Sequence, residues 1–220
     1  MTFSIRLLGC VCLGVLSPSL FAQDIQYGAD VSLVSNQIFR GRSLSDKSGD
    51  LQATLHISND KGWSYRFFAT SYENFLGDKK MRGEASLDYR SKSIDGFDYV
   101  FGFKRYFSPD GGIVINPLTK SYTNEVYVGI TYKDVLLTYH QDDDADTNYT
   151  KLSYKYELMQ GLKLSAHYGI NSPIYEGDDA NDYGLEAVYH WNEDLSFYGG
   201  ATDHEVEGGH SYAGVTYRFW

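Results

Sequence analysis

The chain has 220 residues, a net charge of −10 at pH 7, and high contents of tyrosine (20) and glycine (22). The length fits one domain, and the acidic balance argues against nucleic acid as a partner. Abundant aromatic residues and glycine, with only four prolines, favour strands over helices.

Residues 1–22 are predicted to be a secretory signal peptide. Arg6 precedes a short apolar stretch, Pro18 follows it, and cleavage is expected after Ala22. The apolar stretch is too short to span a bilayer as a helix. Export through this segment predicts that the mature protein functions outside the cytoplasm.

Both cysteines lie inside this segment. Cys10 ends the sequence LLGC, which raises the alternative of a lipoprotein signal, but almost no apolar residues precede it. With Cys10 and Cys12 removed, the mature chain is expected to have no disulfides and no reactive thiols.

Apolar residues then alternate with polar ones in short segments from Tyr27 onward. Residues 51–58 place Leu, Ala, Leu and Ile on one face and Gln, Thr, His and Ser on the other, and residues 97–104 and 162–170 are similar. A period of two with one apolar face is typical of a strand. Twelve strands are predicted, beginning near residues 27, 50, 63, 83, 97, 124, 135, 148, 162, 183, 195 and 211.

The predicted connections alternate between long and short, as in outer-membrane barrels with long extracellular loops and short periplasmic turns. Residues 23–220 are therefore predicted to form an antiparallel, up-and-down transmembrane β-barrel of about 12 strands in the outer membrane. Trp63, Trp191 and Trp220 would all lie at the periplasmic rim, where aromatic girdles occur.

A soluble β-sandwich is the alternative, because it also produces alternation. The regular strand lengths and the alternation of loop lengths argue against it. The sequence also ends in AGVTYRFW, which has the pattern of a strand with no polar tail. In a closed barrel such a strand would pair with the first strand.

The first long loop reads LVSNQIFRGRSLSDKSGDLQATL and resembles the TorF family of porins from Gram-negative bacteria. The matching residues are Phe39, Arg40, Gly41, Ser43, Ser45 and Asp46, whereas DKSGD replaces the small residues usual after the motif. The resemblance implies an outer-membrane channel without a settled substrate. It also implies that Phe219, followed here by Trp220, is a sorting signal for the outer-membrane assembly machinery.

Charged residues of both signs lie on the predicted lumen face. Such charges would be costly in an apolar core and fit a wet or ion-paired interior. The predicted pore-lining residues are Arg66, Glu84, Asp88, Arg90, Lys104, Glu125, Lys151, Lys155, Lys163 and Glu186. Asp30, Asp98, Arg218, His56, His140, His167 and His190 share that face.

Two interpretations of this lumen stay open. It forms a narrow channel for passive diffusion of small polar solutes, or it is plugged by salt bridges in a barrel with a structural or surface-contact role. Arg40 and Arg42 would either constrict the pore or fix the loop through hydrogen bonds. In an open channel, lysines 151, 155 and 163 would face acidic residues 84, 88 and 125 across the lumen.

Two short motifs have the residue spacing of other kinds of site, namely a lipid hydrolase and a calcium loop. His56 and Ser58 have the His-x-Ser spacing of outer-membrane lipid hydrolases, but they are predicted to face the lumen at the periplasmic end, so no enzyme is expected. Asp142, Asp144 and Asp146 are spaced as in a calcium loop, but the glycine and the closing glutamate are missing. No cofactor or metal site is expected, although acidic loops could recruit divalent ions that bridge to lipopolysaccharide.

Overall fold

The computed structural model describes residues 25–45, 48–73, 79–91, 93–109, 122–172 and 179–219. The predicted signal peptide, Asp46 and Trp220 lie outside these residues. No helix in the described ranges is long and apolar enough to cross a membrane. The strands are β1 (Gln26–Val34), β2 (Ile38–Phe39), β3 (Arg42–Ser43), β4 (Asp50–Ser58), β5 (Trp63–Glu73), β6 (Lys79–Arg90), β7 (Phe97–Phe107), β8 (Tyr122–Tyr132), β9 (Val135–Asp142), β10 (Thr147–Met159), β11 (Leu162–Asn171), β12 (Ala180–His190), β13 (Leu195–His204) and β14 (Gly208–Arg218).

Twelve of these strands form one closed antiparallel barrel, in which each strand pairs with its neighbours in the chain and β1 pairs with β14. The remaining two, β2 and β3, form a two-residue hairpin. At the closing seam, Ser32 and Thr216 share a hydrogen bond of 2.7 Å, and the Phe219 amide donates to the Ala29 carbonyl at 2.9 Å. The predicted fold class, a closed barrel of twelve strands, is confirmed.

The ends of the barrel differ in the length of their connections. Residues 59–62, 91–96, 133–134, 160–161 and 191–194 join strands at one end, called the turn end below. The longest connections, 35–49, 108–121 and 172–179, lie at the opposite, loop end, whereas 143–146 and 205–207, which were predicted to be long, are short turns there. Strands that begin at the turn end start where they are predicted. Strands that begin at the loop end start up to four residues earlier, as at Lys79, Ala180 and Gly208. The backbone ladder continues there through polar residues, where alternation no longer marks a strand.

Polar and apolar residues are distributed inside-out compared with a soluble protein. Large apolar side chains face outward and are exposed; Tyr27 and Leu185 each have 68% of their surface accessible. The fully buried residues are mostly polar and lie inside the barrel, among them Glu125 and Asp182. A soluble sandwich would bury its apolar face between two sheets. The sandwich alternative is therefore wrong.

Outward-facing aromatic pairs encircle the turn end. Trp63 lies 5.0 Å from Tyr89 between ring centroids, and Trp191 lies 6.3 Å from Tyr189. Two further pairs, Phe97–Tyr132 at 4.7 Å and Tyr217–Phe219 at 5.2 Å, complete the set. Trp63 and Trp191 thus both lie at the turn end, in the arrangement of an aromatic girdle.

Inward-facing glycines explain where the lumen rings fit. A Cβ at Gly200 would lie 2.6 Å from the Tyr212 ring, so the ring occupies the space that a side chain would need. Glycine in a strand often marks such a close approach. The same cross-strand arrangement occurs at the pairs Gly102–Tyr127, Gly214–Tyr198 and Gly184–His167. On the inner wall, some tyrosines and glycines are therefore used in pairs.

Candidate functional site

The first long connection folds into the barrel instead of away from it. Its centre is the β2–β3 hairpin, here called the lumen hairpin (residues 38–43), whose turn residues Arg40 and Gly41 have φ values of 50° and 77°. A Cβ at Gly41 would lie 2.5 Å from the Cβ of Asp182 on β12. The turn of the hairpin is therefore pressed against the inner wall, and glycine satisfies both the left-handed conformation and the close approach.

Polar side chains hold the base of the lumen hairpin. The Ser43 and Ser45 hydroxyls both donate to the Asn36 side-chain oxygen, at 2.6 and 3.1 Å. The Gln37 amide donates to Ser45 at 2.9 Å, and Thr70 on β5 donates to the Gln37 side-chain oxygen at 2.6 Å. The spaced serines of the motif thus close the loop on itself, and Gln37 attaches it to the wall.

Arg40 connects the hairpin to the opposite part of the wall. Its guanidinium group forms an ion pair with Glu125 on β8 and lies 4.6 Å from the Tyr149 ring centroid on β10. Glu125 has no exposed surface, and His140 Nδ1 and Lys104 Nζ lie 2.7 and 3.6 Å from its Oε1. One buried carboxylate therefore holds three basic groups. A buried charge is tolerated only with such compensation.

Phe39 anchors the other strand of the hairpin. Its ring packs edge-on against Tyr106 on β7, with centroids 5.7 Å apart. The Arg82 guanidinium on β6 lies 4.1 Å from the Phe39 ring centroid and 4.8 Å from that of Tyr106. Arg82 and Tyr106 are both buried. The hairpin thus spans the lumen from β6–β7 on one side to β12 on the other, and cation–π contacts stabilise one end.

The second arginine of the motif has a different position. Arg42 is exposed and its Nε donates to Glu207, in the turn between β13 and β14, at 2.6 Å. An exposed ion pair of this kind contributes little to stability. Arg40 therefore lies inside the barrel, and Arg42 lies at the loop-end rim.

All ten predicted pore-lining residues lie at inward-facing positions of their strands, and all four acidic ones have nearby partners. Arg66 donates to Glu84 at 2.8 Å, and Tyr212 donates to Glu186 at 2.9 Å. Tyr127 donates to Asp88, and Glu125 is bound as described above. The acidic row that was predicted to face the lysines is thus paired with its own neighbours.

The basic residues are less completely paired. Lys104 shares Glu125, whereas no ion pair within 4.0 Å joins Lys151, Lys155 or Lys163 to a carboxylate in the described part of the chain. Lys155, Lys163 and Arg90 are exposed to the lumen, and Lys151 is half-buried. Within the described residues, these three lysines therefore have no direct ion pair, although the carboxylates Glu157, Asp182 and Glu186 lie on the same part of the wall.

Several residues around the hairpin are missing from the predicted lumen set. Arg82 and Asp182 each precede a predicted strand start by one residue, so the late start of β6 and β12 in the prediction removed them. Continuing the alternation backward by two residues would have placed both on the inward face. Tyr106 and Tyr149 were missed because a tyrosine fits either face of a barrel, and no sequence signal separates the two.

Residues of the two other motifs, the His-x-Ser pair and the acidic loop, contact neighbouring polar groups in the structure. His56 faces the lumen near the turn end, with its Nδ1 3.8 Å from Asp30. Asp142 accepts the Ala145 amide at 2.9 Å, and Asp144 accepts the Asn124 side-chain amide at 2.6 Å. Within the described ranges no group of three or more His, Cys, Asp or Glu residues is arranged to hold a metal.

Solved structures with the same fold are outer-membrane barrels. The KdgM porin has a TM-score of 0.63 at 10% identity, covering 89% of this chain and 100% of its own. The NanC porin has a TM-score of 0.59 at 13% identity, covering 86% and 98%. An outer membrane protein of Acinetobacter baumannii has a TM-score of 0.54 at 7% identity, covering 88% and 98%. At these identities the likeness concerns the fold alone.

Among curated protein sequences, none matches this chain. The profile of one family matches residues 22–216, which is nearly the whole chain. The chain belongs to the Gcw_chp family, which is described as bacterial proteins of unknown function.

Proposed function

We propose that this protein is a porin-like channel of the outer membrane, through which small polar solutes diffuse passively. The observation that carries the proposal is the inside-out distribution of residues. Exposed apolar side chains cover the outer wall, whereas charged residues inside remain accessible to water, as Arg66 (41% exposed) and Arg218 (52% exposed) do near the turn end. A bilayer outside and water inside would satisfy both faces.

The proposal includes an orientation. The loop end would face the cell exterior and the turn end the periplasm, after export through the predicted signal peptide and insertion by the outer-membrane assembly machinery. Lipopolysaccharide would then surround the loop end. The resemblance of residues 39–45 to TorF-family porins supports the same assignment.

The lumen hairpin would be the constriction of this channel. The hairpin would narrow the loop half of the lumen because a loop crosses it there. That loop is held by contacts with the wall, such as Arg40 with Glu125 and Gln37 with Thr70. Contacts of this kind can be removed without changing a barrel strand. The hairpin is therefore the segment whose alteration should change permeation most.

Planar-bilayer conductance of the refolded mature protein tests the proposal. The wild type should form discrete channels, and Arg40→Ala should raise their conductance because the hairpin loses Glu125. Arg42→Ala is the matched control, since that arginine lies at the exposed rim, and it should conduct like the wild type. Folding of each variant is checked by heat-modifiable electrophoretic mobility. Folded protein that does not conduct, including the Arg40→Ala variant, would refute the channel.

A non-transporting barrel with a structural or surface-contact role is the second candidate. The complete burial of Ser45 and Glu125 supports it. Ser45 lies where the base of the hairpin packs on itself, and Glu125 lies where the hairpin contacts the wall. The same conductance recording separates the two candidates. A lipid hydrolase is third, and the inward position of His56 and Ser58 argues against it because lipid lies outside the barrel.

A further inference from the structure

Histidines lie at two of the points where the lumen hairpin is attached to the wall. At the first, His140 on β9 and Arg40 of the hairpin share the buried carboxylate of Glu125. At the second, the Cβ of His204, the last residue of β13, lies 3.3 Å from the position that a Cβ would have at Gly41. The turn of the hairpin therefore contacts one histidine directly and the other through a shared carboxylate.

His204 accepts hydrogen bonds that only an unprotonated Nδ1 can accept. The backbone amides of Val206 and Glu207 both donate to this nitrogen, each at 3.3 Å. The two bonds hold the turn between β13 and β14, and from this turn Glu207 forms its ion pair with Arg42 of the hairpin. A charged imidazole carries a hydrogen on both nitrogens, so protonation of His204 would remove both bonds.

Other titratable groups surround His204. Asp182 is its cross-strand neighbour on β12 and is bound by His167 at 3.0 Å. The rest are Glu205 and Glu207 of the adjoining turn, Arg40 and Arg42 on either side of Gly41, and His210, which lies two positions beyond the partner Gly208 on β14. A charge on His204 would therefore arise beside the segment that carries two arginines, and Asp182 would offer the ring another acceptor.

At the first attachment point, protonation would increase the competition for one carboxylate. His140 Nδ1 and Lys104 Nζ lie 2.7 and 3.6 Å from the same oxygen of Glu125. Together with Arg40, a charged His140 would place three positive charges around one negative charge. Lys104 and His140 belong to barrel strands, whereas Arg40 belongs to a loop, so repulsion would displace Arg40.

The remaining groups around His140 are already engaged or uncharged. Its ring stacks on Tyr127 of β8 with centroids 4.9 Å apart, and Tyr149 of β10 lies at 5.9 Å. Its Nε2 lies 3.1 Å from the Thr138 hydroxyl. Asp142, two positions further along β9, accepts the amide of Ala145 in its own turn. Glu125 is therefore the carboxylate that a charged His140 would share with Arg40.

We propose that the two histidines are a pH-sensitive switch, which releases the lumen hairpin from the wall when His140 and His204 are protonated. Histidine is the side chain whose charge ordinarily changes between about pH 5 and pH 8. Because the attached hairpin requires an unprotonated His204 Nδ1, the released state binds protons more readily, and a fall in pH favours release. The inference rests on the proposed function only in treating the hairpin as the constriction of a channel.

Amide hydrogen exchange of the folded protein in detergent, measured by mass spectrometry at about pH 8 and about pH 5, tests this inference. Exchange times are scaled for the intrinsic effect of pH on amide exchange, and peptides of β10 serve as the internal reference. The hairpin amides and that of Leu44, which donates to the Gln37 carbonyl at 2.7 Å, should exchange faster at the lower pH. We expect an increase of about tenfold, as for the loss of two neutral hydrogen bonds, and no change in β10.

Asparagine substitutions remove the titration and keep a polar atom close to the position of Nδ1. In the His140→Asn/His204→Asn variant, the hairpin should exchange alike at both pH values. His190→Asn is the matched control, because His190 lies at the turn end of β12, where its Nδ1 is 2.8 Å from the Ser196 hydroxyl. The control should respond to pH like the wild type.

Two results would overturn the inference: exchange of the wild-type hairpin does not depend on pH, or the double variant responds as fully as the wild type. If the double variant does not fold, the single variants decide, and a full response in both would overturn it as well. The experiment requires no conduction. A hairpin that acid releases in a protein without channel activity would refute the proposed function and leave the switch intact. A channel whose hairpin exchanges alike at both pH values would do the reverse.

Discussion

Tyrosine rings and glycines form paired positions on the inner wall of the barrel. At Gly200 a Cβ would lie 2.6 Å from both the Tyr212 ring and the Leu185 carbonyl oxygen, whereas at the adjacent Gly199 the nearest atom is 3.5 Å away. The two glycines face opposite sides of β13, so only Gly200 is covered by a ring. A glycine-rich strand thus contains both required and replaceable glycines.

We expect Gly200→Ala to destabilise the barrel by about 1–3 kcal/mol, because the methyl group overpacks the wall and displaces the Tyr212 ring. Gly199→Ala should be neutral or stabilising by up to about 1 kcal/mol, since alanine restricts only the unfolded chain there. Urea unfolding in lipid vesicles, followed by tyrosine and tryptophan fluorescence, measures both. Equal effects of the two substitutions would contradict the ring–glycine pairing.

Glu125 is the residue on which the most charged contacts converge. We expect Glu125→Gln to lower the free energy of unfolding by about 3–5 kcal/mol, because Arg40 and Lys104 then lie close together without a counter-charge. Glu84→Gln is the control: its partner Arg66 is partly exposed, and the loss should stay below about 1 kcal/mol. The same urea titration reports both, and a loss at Glu125 no larger than at Glu84 would refute this role.

At the scale of elements, the lumen hairpin differs from the strands around it. The strands are held by continuous backbone ladders, whereas the hairpin depends on side chains of at least four wall strands, namely Thr70, Arg82, Glu125 and Tyr149. Its turn also requires a left-handed conformation at Gly41. The hairpin can therefore be displaced while the barrel stays closed.

Gly41→Ala should displace the lumen hairpin from β12. The methyl group would strain the turn and meet Asp182, so the hairpin should become accessible to protease at the Arg40 and Arg42 bonds. Trypsin digestion of the folded protein in vesicles, analysed by mass spectrometry, measures the cleavage. Gly208→Ala is a matched control, because Gly208 also has a positive φ but no atom within 4 Å of its Cβ position. Faster cleavage at Arg40 or Arg42 in the control, or none in Gly41→Ala, would contradict the argument.

At the scale of the whole molecule, the barrel has two chemically different ends. Aromatic pairs mark one end, and the polar hairpin and the three longest connections mark the other. Such asymmetry is expected of a barrel inserted in one direction. It makes the proposed orientation testable with single residues.

We expect Asp179→Cys, at the loop end, to react with a membrane-impermeant maleimide on whole cells. Glu193→Cys, in a short turn at the turn end, should react only after the cells are opened. Both residues are exposed, so accessibility of the side chain itself does not distinguish them. The native cysteines at 10 and 12 lie in the predicted signal peptide and should not interfere. Labelling at 193 and protection at 179 would mean that the orientation is inverted.

The sequence by itself determined the barrel: the number of strands, their turn-end boundaries and the inward position of every predicted lumen residue. It could do so because each strand residue of a closed sheet faces either the outside or the lumen, and these two surroundings require side chains of different polarity. Only the tertiary structure decided that the lumen hairpin crosses the barrel, that Arg40 meets Glu125, and that Arg82 encloses Phe39 with Tyr106. These contacts join residues far apart in the chain, and they depend on strand register and on the path of one loop. The alternation of apolar and polar residues carries no information about the register of the strands or the path of the loop.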